Sequence, residues 1–313
     1  MTPTLRPRRR LGPGNVDSNA WREDTAHWTG RLIYAALRLF RLDDLHPYRR
    51  QLLIYRAAQL HAVLTGFLPV SLVTLFHRYG TDKEQVLGHS YGASYDRWLR
   101  PLRYQRIRML EIGIGGYTSS FGGRSLLAWR AYFPFAIIVG CDLRSKLQLA
   151  GWGVKIRQVD QSSSEQLRRL AVAEGPFEVI IDDGSHANGH QILTFKTLFE
   201  HLLDGGIYVV EDTQTSYWSH EPDGPEVGGK NPEDPEFSTT CVGYFLRLAN
   251  YLNHAEFLPD AVFDPEIKRF AEQVRAITFE HNLICVIKGR NDSQSNAIDS
   301  GLTRHSSTEQ AAK

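Results

Sequence analysis

Cysteine is scarce in this chain, with Cys141, Cys241 and Cys285 the only three among 313 residues. They are odd in number and widely spaced, and no C-x-x-C pair occurs, so the pattern suggests neither a disulfide framework nor a thiolate zinc site. Cys141 and Cys285 sit in apolar, strand-like runs and read as inert core residues. Charge of one sign is lacking too. The net charge is +1, which supplies no global field for nucleic acid or a membrane surface. A long apolar run is also missing. Residues 62–76 are apolar but interrupted by Gly66 and Pro69, and they fall short of the ~20 residues that a membrane span requires. They read as a buried helix pair. Near the N-terminus, Arg6, Arg8, Arg9 and Arg10 are followed by turn-forming residues up to Asp17. A secretory signal would need an apolar run there, so a cytoplasmic protein is expected.

Enough apolar residues remain, 42% of the chain, to bury a sizeable core. Residues 1–20 are basic and rich in Pro and Gly, and read as a disordered tail. Residues 21–78 read as a helical N-terminal segment, broken near His46-Pro47 and at Pro69. Within it, residues 31–42 place apolar side chains at helical spacing with Arg31, Arg38 and Arg41 between them. That pattern suits packing on the protein itself, a surface for homo-oligomerisation, or a membrane surface. Residues 79–290 form the third unit, and the polar residues 291–313 read as a second disordered tail.

From residue 107 the periodicity alternates between strand and helix. Strands are expected over residues 106–114, 136–142, 154–160, 177–182 and 206–211. Helices are expected over 124–132, 164–174, 188–203 and 239–251. Residues 276–280 and 283–288 read as an edge hairpin around His281-Asn282, with one strand antiparallel, because so short a connection cannot hold a crossover. The class is therefore α/β, a mostly parallel sheet wrapped by helices on both faces. Ligands of such sheets bind beyond the carboxyl ends of the strands.

The suspicious residues fall at that edge. The first strand runs through Glu111 into Gly113, Gly115 and Gly116, which let the backbone turn sharply and approach a ligand. A dinucleotide site would want another glycine at position 118, where the chain has Thr118. The second strand ends at Asp142, whose carboxylate can accept both hydroxyls of a ribose. The third ends at Asp160-Gln161, which can meet an adenine edge with acceptor and donor. The fourth and fifth end in Asp182-Asp183 and Glu211-Asp212. Carboxylates packed together repel unless a cation sits among them, and an all-oxygen set suits Mg2+, Ca2+ or Mn2+ and disfavours zinc. His186 lies three residues past Asp183, with the pKa range of a general base. His190, one helical turn later, reads as structural.

Residues ~80–220 resemble the metal-dependent macrolide-sugar O-methyltransferases and the related cephalosporin-biosynthesis methyltransferase group. The resemblance is carried by Gly80-Thr81-Asp82-Lys83 with His89 and Tyr91, by Glu111-Ile112-Gly113, by the run from Asp182 to His186, and by Glu211-Asp212. It implies a Rossmann-like methyltransferase fold with a seven-stranded sheet, S-adenosylmethionine as cofactor and Mg2+ as metal. It implies further that Asp183, Glu211 and Asp212 bind Mg2+ and that His186 is the base. Glu111, Gly113, Asp142, Asp160, Gln161 and Asp182 would line the cofactor pocket, with Thr81 and Tyr91 closing it. Tyr217-Trp218 resembles a substrate-facing aromatic step, and stacking on a sugar face is its physical use. The expected acceptor is a hydroxyl of a saccharide or glycosylated natural product, with no nucleic-acid partner. A catechol, which also offers two vicinal oxygens, is the alternative acceptor. A non-catalytic S-adenosylmethionine-binding protein and a nicotinamide-dependent oxidoreductase are the competing classes.

Overall fold

The structure is a computed structural model that describes residues 46–84, 89–115, 121–220, 225–257 and 261–295. The two expected tails, the pattern at 31–42, and Gly116 and Thr118 lie wholly or largely outside the described residues.

Two helices come first, α1 (Pro47–Thr65) and α2 (Leu72–Tyr79). Between them lies the break expected at Pro69. Ser71 caps α2 by accepting from the Thr74 amide at 3.3 Å, and Gly80 ends it in a left-handed conformation with φ of 68°. A side chain is disfavoured at that φ, so Gly80 both stops the helix and turns Thr81-Asp82-Lys83 toward the sheet. A short helix, α3 (Gly92–Leu99), follows.

The sheet elements are β1 (Arg108–Ile112), α4 (Arg124–Tyr132), β2 (Ile137–Asp142), β3 (Val154–Gln158), α5 (Ser164–Glu174), β4 (Phe177–Asp182), α6 (Asn188–Leu198) and β5 (Leu202–Val210). Then come α7 (Cys241–Asn250), α8 (Pro265–Ala271), β6 (Val274–Glu280) and β7 (Leu283–Lys288). The seven strands lie in the order β3-β2-β1-β4-β5-β7-β6. The first five pair in parallel, and β7 runs antiparallel to both β5 and β6. This is the seven-stranded, Rossmann-like arrangement of S-adenosylmethionine methyltransferases. Strand order reverses between β1 and β4, which opens a crevice at their carboxyl ends.

Successive strand residues face opposite sides of the sheet. Met109, Val179, Ile181 and Val209 enter one core with Phe76 and Trp129, on the side of α1, α2 and α4. Leu110, Ile180, Tyr208 and Val210 enter the other with Phe195, Phe245 and Phe270, on the side of α6 to α8. All three cysteines are buried and free; for Cys141 and Cys285 this is the expected core placement.

Several boundaries shift by a few residues, and the junction between α6 and β5 differs most in kind. The apolar pattern predicts helix to residue 203 and strand from 206. Instead α6 stops at Leu198, a 3-10 turn covers Phe199–His201, and β5 begins at Leu202. The reason is a distant cation. Lys288 Nζ on β7 donates to the carbonyls of Phe199 at 2.9 Å and Leu202 at 2.8 Å. Those carbonyls are satisfied by a side chain, so the helix need not continue to satisfy them.

Candidate active site

At the first strand end, Gly113 has φ of 79°, and a Cβ there would lie 1.9 Å from the Asp183 carbonyl oxygen. Only glycine lets β1 leave the sheet so close to β4. Two residues earlier Glu111 points to the α4 side and is fully buried. Its carboxylate accepts from Ser125 Oγ at 2.8 Å and Trp129 Nε1 at 3.0 Å. Those contacts brace the strand end from within.

Asp142 ends β2 and stays partly exposed. Its oxygens accept from the Arg144 amide at 3.0 Å, Lys146 Nζ at 2.7 Å and the Ile114 amide at 3.4 Å. Asp160 follows β3 and accepts from the Ser162 amide and hydroxyl at 2.8 and 2.7 Å. The Ser162 hydrogen bonds hold the Asp160 carboxyl below the usual range. Gln161 turns inward. Its amide nitrogen donates to Asp182 Oδ1 at 2.6 Å and its oxygen accepts from the Ser185 amide at 2.8 Å. Gln161 therefore ties the end of β3 to the end of β4. Burial pushes the Asp182 carboxyl up to about 7.

The acids after β4 and β5 converge. Asp183, His186 and Asp212 each offer a ligand atom, and these atoms lie within 4.8 Å of one another. Asp212 Oδ2 faces His186 Nε2 at 3.6 Å. His186 and Asp212 both have φ of 55°. Left-handed backbone costs a non-glycine residue roughly 1 kcal/mol or more, and such strain concentrates at functional sites.

Glu211 lies beside this group but answers to other partners. Its Oε1 accepts from Lys83 Nζ at 2.7 Å and Tyr95 hydroxyl at 2.5 Å. Lys83 also binds Asp183 Oδ2 at 2.5 Å and stands 3.5 Å from Glu111. Burial works against the Lys83 charge, yet Asp183 and Glu211 hold its ammonium well above the ordinary lysine range. Burial pushes the Asp183 and Glu211 carboxyls up; Asp183 and Asp212 raise Glu211 further, and Asp82, Asp212 and Glu111 raise Asp183. One buried ammonium thus faces Glu111, Asp183 and Glu211, with Asp212 close behind.

The segment after α2 roofs the group. Tyr91 hydroxyl donates to Asp212 Oδ1 at 2.7 Å, and His89 Nε2 stands 3.2 Å from the same oxygen. Thr81 is buried nearby in sequence, and its hydroxyl has no protein hydrogen-bond partner. Tyr217 and Trp218 are exposed beyond β5. Sequence reasoning gave no role to Lys83, His89, Tyr95 or Lys146. Lys83 and His89 were visible as motif letters, but a lysine among acids shows itself only once the chain is folded.

The donor set fits a hard divalent cation. Carboxylates outnumber the buried ammonium, oxygen ligands dominate, and among the described residues the nitrogen donor of the group is the His186 imidazole. A polar ligand also has groups to meet, because Asp182 Oδ2 and His186 Nδ1, like Thr81 Oγ1, are buried without a protein hydrogen-bond partner.

No protein-family model matches the chain. Curated proteins do. The mycinamicin VI 2''-O-methyltransferase of Micromonospora griseorubida is 39% identical over 223 residues, covering 71% of this chain and 53% of that protein. The 8-demethyl-8-alpha-L-rhamnosyl tetracenomycin-C 2'-O-methyltransferase of Streptomyces olivaceus is 40% identical over 59% of this chain and 47% of its own length. A methyltransferase from the mycinamycin biosynthetic pathway, solved with Mg and SAH, superposes with a TM-score of 0.65 at 38% identity, covering 72% of this chain and 56% of that one. The resemblance is to the macrolide-sugar O-methyltransferases. The chain spans about half the length of these relatives. Among the described residues, no helix is long and apolar enough to cross a membrane.

Proposed function

We propose that this chain is an S-adenosylmethionine- and Mg2+-dependent O-methyltransferase acting on a sugar hydroxyl of a glycosylated natural product or saccharide. The observation that carries the reading is the convergence of Asp183, His186 and Asp212 within 4.8 Å at the crevice edge. Sugar O-methyltransferase relatives at 39% and 40% identity support it. So does the structural neighbour that holds Mg and SAH.

In this reading Asp183, Glu211 and Asp212 hold the cation between them. Bound there, a divalent cation supplies positive charge that lowers the pKa of an acceptor hydroxyl. His186 would take the proton from that hydroxyl as its oxygen attacks the sulfonium methyl carbon; the C–O bond forms while the C–S bond breaks, its electron pair leaving on sulfur as a neutral thioether. Asp142 and Asp160 take the ribose and adenine ends of the cofactor. Thr81, Gly113, Gln161 and Asp182 shape the pocket wall, Glu111 braces it from behind, and Tyr91 closes it from above. Tyr217 and Trp218, both exposed, offer their ring faces to a sugar. Much of the acceleration is positional, since holding two reactants in line removes the entropy cost of their encounter.

The deciding experiment incubates the protein with S-adenosylmethionine and a panel of glycosides, and follows the product mass. A gain of one methyl group on a glycoside, suppressed by EDTA and restored by Mg2+, is expected. Methylation of catechols alone would move the acceptor class to phenols. Full turnover in metal-free buffer would remove the metal from the reaction.

A further inference from the structure

We infer that His89 is a positioning residue of the metal site, which together with Tyr91 commits one oxygen of Asp212 and leaves the other to the cation. This inference rests on reading Asp212 as a metal ligand.

The two oxygens of Asp212 meet different surroundings. Oδ1 accepts from Tyr91 hydroxyl at 2.7 Å and lies 3.2 Å from His89 Nε2. Oδ2 points the other way, toward His186 Nε2 at 3.6 Å, beyond hydrogen-bond reach. The His89 ring stacks on the Tyr91 ring, with centroids 4.6 Å apart and planes 25° apart. The stack holds the Tyr91 hydroxyl and the His89 ring nitrogen on the same side of the carboxylate. A hydrogen bond and a close ring nitrogen on one oxygen oppose rotation of the group and bias it toward one-oxygen ligation. Asp212 has a second reason to need such support. Its backbone is held at φ of 55°, a conformation that the surroundings of an aspartate must over-determine. Outer partners of this kind orient ligands, and losing one typically costs about 10–100-fold in metal affinity or activity.

His89 also carries the geometry across the chain. It sits on the segment between α2 and α3, whereas Asp212 follows β5. The same segment sends Lys83 to Asp183 and Glu211, and Tyr95, on α3 beyond it, reaches Glu211. Each of these polar side chains lands on an acid of the β4–β5 edge. His89 is the most accessible of them, with 27% of its side chain exposed, so it can be changed without opening the core.

The test measures binding of Mg2+, and of Mn2+ as a second probe, by titration calorimetry on the full chain. The variants are His89→Ala, His89→Phe, His89→Gln and Asp212→Asn, each checked for an unchanged melting transition. His89→Phe keeps the ring stack but loses the donor, whereas His89→Gln keeps a donor. The expected result is a loss of affinity of about tenfold for the Ala and Phe variants, with most of it recovered in the Gln variant. S-adenosylmethionine affinity should stay unchanged in all three His89 variants. Wild-type metal affinity in His89→Phe would overturn the inference, and so would equal losses in the Phe and Gln variants. Asp212→Asn separates the two levels of the argument. If it abolishes metal binding while His89→Phe does not weaken it, the inference fails and the metal reading stands. If Asp212→Asn binds Mg2+ normally, the reading of Asp212 as a ligand fails and takes the role of His89 with it.

Discussion

The two halves of the sheet edge treat their acids in opposite ways. On the β2–β3 half, Asp142 and Asp160 stay partly exposed and are met by backbone amides, a serine hydroxyl and Lys146. On the β4–β5 half, Asp182 and Glu211 are buried, and burial raises the carboxyls of Asp182, Asp183 and Glu211. The first half binds its charges as any surface turn would. The second keeps charges where the fold alone disfavours them, which makes sense only if they have a task. Recognition of neutral hydroxyls can use satisfied, solvated carboxylates. Charge held for a cation and a proton must be kept out of water, and its burial costs stability.

The sharpest break in this comparison is at His186. His186→Ala should lower kcat by about 10²–10⁴-fold, the usual range for one positioned base. Mg2+ and S-adenosylmethionine affinity should barely change, and His190→Ala should be far milder. If His186→Ala loses Mg2+ affinity as steeply as Asp183→Ala does, the imidazole is a ligand and the base lies elsewhere.

Next in size is the cofactor half. Asp142→Ala should weaken S-adenosylmethionine binding by roughly 1–3 kcal/mol, the scale of losing charge-assisted hydrogen bonds. Calorimetry that shows unchanged affinity would remove Asp142 from the pocket. Metal affinity should not move, because the Asp142 carboxylate bonds to Ile114, Arg144 and Lys146 and to none of the residues after β4 and β5.

The buried half should show its cost in stability. Asp182 has its carboxyl raised to about 7. A group raised in the fold contributes stability that is fully present below its unfolded pKa, near 3.9, and lost as pH rises through about 7. Asp182→Asn stays neutral at every pH and keeps an oxygen for Gln161. It should therefore raise Tm at pH 8 and leave it unchanged at about pH 3, below the unfolded pKa. An equal shift at both pH values would show that the carboxylate is not strained by burial.

The smallest effect lies outside the edge. Glu174 is paired with Lys155 at 2.8 Å and with Arg157. Burial alone would raise its carboxyl, but these cations bring it below the usual range. Its contribution is therefore present above the unfolded pKa, near 4.3, and disappears as pH falls through the lower folded value. Glu174→Gln should cost on the order of 1 kcal/mol or less at pH 7, progressively less as pH falls below the unfolded value, and no activity at any pH. Lost turnover in this variant would mean that the edge and the opposite end of the sheet are coupled.

Much of this was legible in the sequence. Period-two and helical patterns gave α4, α5 and β4 their limits, because each begins and ends at a local break such as Gly123 or Gly175-Pro176. Two residues between β6 and β7 dictated an antiparallel pair, whereas the place of β7 beside β5, ahead of β6 in the sheet, came from packing. Acids at successive strand ends marked the crevice edge, since a parallel sheet puts all those ends on one side. The start of β5 was not legible, because Lys288 sets it from more than eighty residues away.

By itself the sequence determined the alternating architecture, the edge where the acids gather, and the identity of the acids and imidazole there. Those follow from local periodicity and residue type. Tertiary structure alone decided how the acids divide their work. It gave Glu111 to Ser125 and Trp129, Glu211 to Lys83 and Tyr95, and Gln161 to Asp182. It left Asp183, His186 and Asp212 facing one another. A carboxylate's partner depends on which donor the folded chain brings within about 3 Å, and that distance is a property of packing, not of residue order.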